Sequence, residues 1–341
     1  MIGANSWRVK SIPNNSSLDF SNCLGVMSTG QTATETGEPT SSEELTLLLL
    51  SDSSLPVGGF VSSSGLESFT NHGYLAHCKT DLARSHALVT FTFSNAQSYA
   101  NLCAAFFYHI HALITDTLSS KSDQHLPNQS HTSVEEEEQR DEQRLQGIAE
   151  VVHKLNQLFD SMCLSPVNRR NSYAQGAAFL LLYSKSFGPS PGTTTALERL
   201  KSRLIESLKR EIRRGNWSIH YPISFAFVTG LLQLSFDRAI HLHIFLHIRS
   251  ILSAAVRLNI IGPYLSQKIM FTHMKSMLET INGEIKTKRL ARSDLIECGL
   301  DPGESDSEVT QQVEDGPATS WPFGEIIQTR HDSCHVRLFN S

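Results

Sequence analysis

Histidine is the residue this chain offers most freely to chemistry: 15 stand among 341 residues, each able to titrate or hold a metal near neutral pH. They cluster twice. In HLHIFLH (241–247), His243 and His247 stand four apart, which puts two donors on one helical face. His241 falls on another face and no HExxH glutamate follows, so packing at a helix surface is favoured over a zinc site. The second cluster closes the chain, WPFGEIIQTRHDSCHVRLFNS (321–341). There His331, Asp332, Cys334 and His335 place four potential ligands within five residues, a donor set that suits nickel, zinc or copper. The competing reading is favoured: a docking tail held by Ile326, Ile327, Leu338 and Phe339, with Arg330 and Arg337 pairing at its edges.

Other chemistries are excluded by spacing. The stretch LSDSSLPVGGFVSSSGLES (50–68) has glycines side by side but no Lys-Ser/Thr after them, no GxGxxG and no GxSxG. It is therefore neither a phosphate loop nor a nucleophile elbow. Pro56 fixes φ and Gly58 and Gly59 can take positive φ, so the stretch reverses the chain between two helices, with one of Ser62, Ser63 or Ser64 capping the next. No Ser/His/Asp set or carboxylate pair is inferable from order, and Glu135–Glu138 reads as a solvated acidic run. A net charge of −5 offers nothing to nucleic acid. Six cysteines without a CxxC argue against a zinc ribbon or disulfide framework and suit a reducing compartment. The N-terminus has no apolar signal core. The most apolar stretch, 239–261, carries three histidines, Arg249 and Arg257, so it is expected to be a core helix and not a membrane span. The expectation is a soluble cytoplasmic protein.

The elements that must position these residues are helical. Apolar residues recur every three or four positions at Leu145, Ile148, Val152, Leu155 and Phe159, and again at Ile240, Ile244, Ile248, Ile251, Ala255 and Leu258. Further helices are expected at about 43–50, 66–72, 81–113, 169–187, 196–212, 222–234 and 264–281. No run of period-two strands appears. The predicted fold is all-α, a single helical domain of about eight to ten helices with disordered extensions. Residues 1–42 read as a disordered N-terminal extension, 43–298 as the helical domain with a polar insert at 119–142, 299–320 as a flexible linker and 321–341 as the docking tail.

Five stretches in order resemble one family. LLLLSDSSLPVGGFVSSSGLES (47–68), RRNSYAQGAAFLLL (169–182), HYPISFAFVTGLL (220–232), ILSAAVRLNIIGPYLSQKIM (251–270) and FGEIIQTRHDSCHVRLFNS (323–341) are similar to the signatures of the urease accessory protein F family. The resemblance covers 45–117, 143–298 and 321–341. It departs at Ala226, where a glycine is expected, and at Pro263, where a glutamine is.

The resemblance implies an all-helical, non-catalytic nickel-insertion chaperone subunit that pairs as a homodimer and binds no cofactor tightly. It implies a D- or H-type accessory protein and a nickel-carrying P-loop GTPase of the G type as partners, the assembly delivering Ni²⁺ to apo-urease. No nucleic acid or membrane partner is implied. By resemblance, Pro56, Gly58, Gly59, Gly65 and Glu67 shape a partner surface; Arg257, flanked by Ala255 and Leu258, reads as a buried or interfacial charge that needs a carboxylate partner. Arg330, His331, Asp332, Arg337, Leu338 and Phe339 belong to a tail that orders on the D-type protein. The alternative is a direct nickel carrier with His331, Cys334 and His335 as ligands.

Overall fold

Helix starts in this chain fall where a side chain or a proline can deal with unpaired amide groups. Ser165 accepts the Asn168 N–H at 3.3 Å just ahead of Pro166. Thr195 accepts the Glu198 N–H at 3.3 Å and donates its hydroxyl to the Glu198 carboxylate at 2.6 Å. Pro222, Pro263 and Pro322 occupy first turns, where the missing N–H costs nothing.

The computed structural model describes residues 41–122, 134–189, 192, 195–300 and 316–341, and no strand occurs among them. The helices in order are α1 (Ser41–Leu50), α2 (Leu66–Asn71), α3 (Asp81–Ser122), α4 (Val134–Met162), α5 (Pro166–Leu182), α6 (Ala196–Gly215), α7 (Tyr221–Leu231), α8 (Phe236–Arg257), α9 (Pro263–Ile285), α10 (Arg292–Cys298) and α11 (Pro322–Thr329). The fold is all-α, as the sequence predicts. Helices α10 and α11, of seven and eight residues, are additional to the helices expected from the sequence.

Helix α7 is the axis of the core. Every residue from Pro222 to Leu231 is buried, with α3 and α5 against it, and a helix apolar all round has no solvent face to offer. Gly176 of α5 makes the approach possible: a Cβ there would lie 2.2 Å from the Ile219 carbonyl oxygen. Helices α8 and α9 close against α3. By length and composition α8 could cross a membrane, but Ile240, Ile244, Ile248 and Ile251 are buried in the helical core.

Two expected boundaries shift. The sequence sets the polar insert at 119–142, yet α3 runs to Ser122 and α4 starts at Val134. The charged face of α6 explains part of this: Arg203 pairs with Asp141 at 3.3 Å and Glu142 at 3.6 Å, and Arg210 pairs with Glu142. Residues 123–133, 1–40 of the expected extension and 301–315 of the expected linker lie outside the described residues. The linker's end is anchored, because Ser98 Oγ accepts the N–H groups of Ser320 at 3.0 Å and Trp321 at 3.1 Å.

Histidines fill joints between these helices. His243 Nε2 meets the Tyr99 hydroxyl at 2.8 Å, His247 Nε2 meets Asn95 Oδ1 at 2.8 Å, and the Tyr99 and His247 rings stack at 4.1 Å. The HLHIFLH stretch therefore packs α8 on α3. Its first member, His241, turns to Asn282 of α9 at 2.8 Å. Burial pushes the imidazoles of His109, His111, His220 and His247 down to about 4 and that of His243 to about 3.

Two predictions follow from the packing. Gly176→Ala should lower stability by about 1–3 kcal/mol, read as a fall in the thermal midpoint, because carbonyl backbone cannot yield to a methyl group. Acid should act through the histidines. Their folded-state pKa values lie below the unfolded 6.5, so their contribution is complete above pH 6.5 and lost as pH falls towards 4. Each contributes at most about 1.4 kcal/mol per pH unit in that window. Urea midpoints measured from pH 7.5 to 4.5 should fall steeply below 6.5.

Candidate partner-binding surface

The Pro-Val-Gly-Gly loop is built by local turns. Asp52 Oδ1 accepts the Ser54 N–H at 2.8 Å, and Gly58 takes φ +75° to start a single tight turn, Gly59–Val61. Gly58 is thus required by backbone conformation. Gly59 is not at positive φ, and a Cβ there would have open space. Ser64 (φ +50°) and Gly65 (φ +86°) then turn the chain into α2. The N-cap position falls to Gly65 and not to one of the serines, although Ser63 Oγ, two residues upstream, accepts the Glu67 N–H at 3.3 Å.

The tail lies on this loop. Gly65 is needed twice over, because besides its positive φ a Cβ would sit 3.3 Å from the Cβ of Gln328 on α11. Glu67, 3 % exposed, turns its carboxylate to the tail. It accepts the Leu338 N–H at 2.5 Å, the Phe339 N–H at 3.1 Å and a hydrogen bond from His331 Nε2 at 2.9 Å. Beyond it, Asn340 N–H donates to the Val61 carbonyl at 2.9 Å, and Ser63 donates both N–H (3.1 Å) and hydroxyl to the Ser341 carbonyl. Asp332 bridges Arg170 of α5, at 2.7 and 2.8 Å, and Arg337, at 3.3 Å. Trp321 stands edge-on to Phe91 at 5.3 Å, and Phe323 edge-on to Tyr74 at 5.1 Å.

Arg257 departs from expectation. No carboxylate pairs with it among the described ion pairs. Its guanidinium donates to the Phe60 carbonyl and lies between two rings, 3.9 Å from the Phe60 centroid and 4.3 Å from that of Phe339. A delocalised cation between π faces needs no counter-ion to be held. It thereby ties the end of α8 to the loop and the tail.

The structure thus brings Pro56, Gly58, Gly59, Gly65, Glu67, Arg257, His331, Asp332, Arg337, Leu338 and Phe339 to one side of the molecule. It leaves Arg330 exposed. The possible metal set is not assembled: His331 is buried on Glu67, His335 is exposed, and Cys334 Sγ approaches the Arg330 carbonyl at 3.9 Å. No group of three such donors occurs among the described residues.

A second polar group, absent from the sequence reading, joins α4, α5 and α7. His220 meets Ser172 Oγ at 3.1 Å and Asp160 Oδ1 at 3.1 Å, and Tyr173 donates to Asp160 at 2.5 Å. Burial would raise the Asp160 carboxyl, but the Tyr173 and His220 hydrogen bonds and the Arg169 charge outweigh it and hold it below the usual range. Ser, His and Asp meet here, yet Ser172 Oγ accepts the Tyr221 N–H at 3.0 Å and is buried. The arrangement is a joint between helices. Residues from three helices form it, so no local motif announces it. Arg170 and Gln328 escaped notice for the same reason.

Comparison with known proteins gives the family. The UreF family model matches residues 83–273. The chain is similar to "Urease accessory protein 6" of Cryptococcus neoformans var. grubii, 33 % identical over 330 residues, covering 88 % of this chain and 98 % of the relative. The chain belongs to the UreF family. A UreF-like protein of Schizosaccharomyces pombe is 25 % identical over 55 % of this chain and 68 % of its own. "Urease accessory protein F" of Arabidopsis thaliana is 26 % identical over 39 % and 50 %.

The clamp makes one prediction. Glu67→Ala leaves three donors facing a buried gap, a loss of about 3–5 kcal/mol in tail docking. Trypsin should then cut at Arg330 and Arg337 at least about tenfold faster than in the parent chain, while the helical circular dichroism stays near its parent value.

Proposed function

We propose that this UreF-family chain is a urease accessory protein, a non-catalytic scaffold in the GTP-dependent assembly that inserts nickel into apo-urease. It bridges a D- or H-type accessory protein and a nickel-carrying GTPase, and couples GTP hydrolysis to metal transfer. The names of its relatives support the accessory role. One geometric observation supports the bridging role. The tail is held on its inner side by Glu67 and by the buried Ile327 and Phe339, while Ile326 (59 % exposed), Val336 (80 %) and Leu338 (62 %) face outward. Apolar anchors on a fixed base, rimmed by Arg330, Arg337 and Asp332, have the composition of a protein interface.

The homodimer belongs to the same reading, and the exposed stripe Leu45, Leu48 and Leu49 on α1 supports it. The carrier alternative has less support, since the His331 imidazole is committed to Glu67. Nickel in this reading is the cargo of the complex.

Co-elution with the purified D-type protein tests the proposal. The parent chain should co-elute. A chain ending before Trp321 and an Ile326→Glu/Leu338→Glu variant should not. If the double variant co-elutes as the parent does, the outer side of the tail is not the anchor and the proposal fails in that form.

A further inference from the structure

Beneath the Pro-Val-Gly-Gly loop lies a cavity of about 520 Å³, walled by the loop, α5, α8 and the start of α9. Sites for small molecules fall in this range of volumes. Its lining carries three charged side chains, Asp52, Arg249 and Arg257, and so a net positive charge. Burial pushes the imidazole of His247, also in the lining, down to about 4 and keeps it neutral at pH 7. Asp52 is spent on the Ser54 N–H and acts on Arg249 only through its field.

Neither arginine has an ion-pair partner among the described residues. Arg249 donates to the Ser51 carbonyl, and Arg257 to the carbonyls of Phe60 and, at 3.4 Å, Ser253. These acceptors are neutral, and the rings that hold Arg257 do not cancel its charge. Its Nη2 is buried with no hydrogen-bond partner. Arg169, Arg203 and Arg238, partly buried like these two, each face a carboxylate. Burial lowers the pKa of both cavity guanidiniums, with Tyr221 and Asp52 opposing it at Arg249. Tyr221 adds an unspent donor to the same wall. Tyr99 and Tyr173 give their hydroxyls to His243 and Asp160. The Tyr221 hydroxyl has no partner among the described residues, and burial keeps it protonated close enough to Arg249 for the two to interact.

We propose that this cavity binds a small organic dianion, one phosphate or carboxylate group on Arg249 and Tyr221 and a second drawn by Arg257. Positions 249 and 257 lie about 12 Å apart along α8, so the two groups belong at opposite ends of a short carbon chain. Leu246 and Met270 give that chain an apolar wall. The same arginines hold both ends of the loop, through Ser51 and Phe60, so the bound molecule stiffens the turn that carries Gly58 and Gly59. The site does not depend on the scaffold reading.

The test is isothermal titration of the full chain at constant ionic strength with four probes. Two carry a charged group at each end, 1,6-hexanediol bisphosphate and adipate, and two at one end only, hexyl phosphate and hexanoate. At least one two-headed probe should bind one-to-one, about tenfold or more tighter than its single-headed counterpart. Which pair shows this distinguishes phosphate from carboxylate. Tyr221→Phe removes only an unbonded hydroxyl, so circular dichroism and the thermal midpoint should match the parent. Its affinity for that probe should fall about tenfold, and that of Arg249→Gln at least as far. Two-headed probes that bind no better than single-headed ones overturn the proposal. Parent-like affinity in Tyr221→Phe and Arg249→Gln also overturns it, since the ligand then sits elsewhere on the chain.

Discussion

A buried carboxylate organises the side of this protein where the loop, α2 and the chain end meet. Glu67 stands at the start of a six-residue helix too short to be stable alone, and it receives three donors from a segment more than 260 residues away in sequence. Charge-assisted bonds of this kind gain strength where water is excluded. The carboxylate also selects: it accepts the successive backbone N–H groups of Leu338 and Phe339, so the tail must arrive in one register. Loop, α2, α11 and the chain end are consequently one unit, with Arg257 joining it to α8 through two rings.

The interior supplies the rigidity that this unit leans on. Helix α7 is buried along its length, and Gly176 lets α5 come to within contact of the Ile219 backbone. The joint around Asp160 and His220 satisfies polar groups of α4, α5 and α7 at once, and the paired histidines of α8 do so against α3. Keeping these imidazoles neutral is the cost of using polar groups as mortar, and it makes the fold sensitive to acid. The same burial removes them from metal chemistry, for a nitrogen already bonded to a tyrosine or an asparagine is not an open ligand.

Among the described residues, the outer side of the tail and the leucines of α1 are apolar and exposed. Each sits on an element whose inner side is already packed, so each can be covered by a partner without disturbing the core. The proposed scaffold role calls for such surfaces. The Pro-Val-Gly-Gly loop contributes to them, with Gly58 turning the backbone and Gly65 admitting α11.

The sequence alone determined the helical class, most helix positions, the absence of phosphate-loop and nucleophile-elbow chemistry, and the family resemblance. These depend on periodicity, caps and short motifs, all of them local. It also singled out Glu67, His331, Leu338 and Phe339, but from resemblance and without their mutual geometry. Only the tertiary structure decided that Glu67 holds the other three and that Arg257 takes aromatic faces where a carboxylate was expected. It likewise turned His331 away from Cys334 and His335, and paired Arg170 with Asp332. Which donors meet across hundreds of residues depends on how α3, α5, α7 and α8 pack, and packing is a property of the assembled core that no single stretch of chain contains.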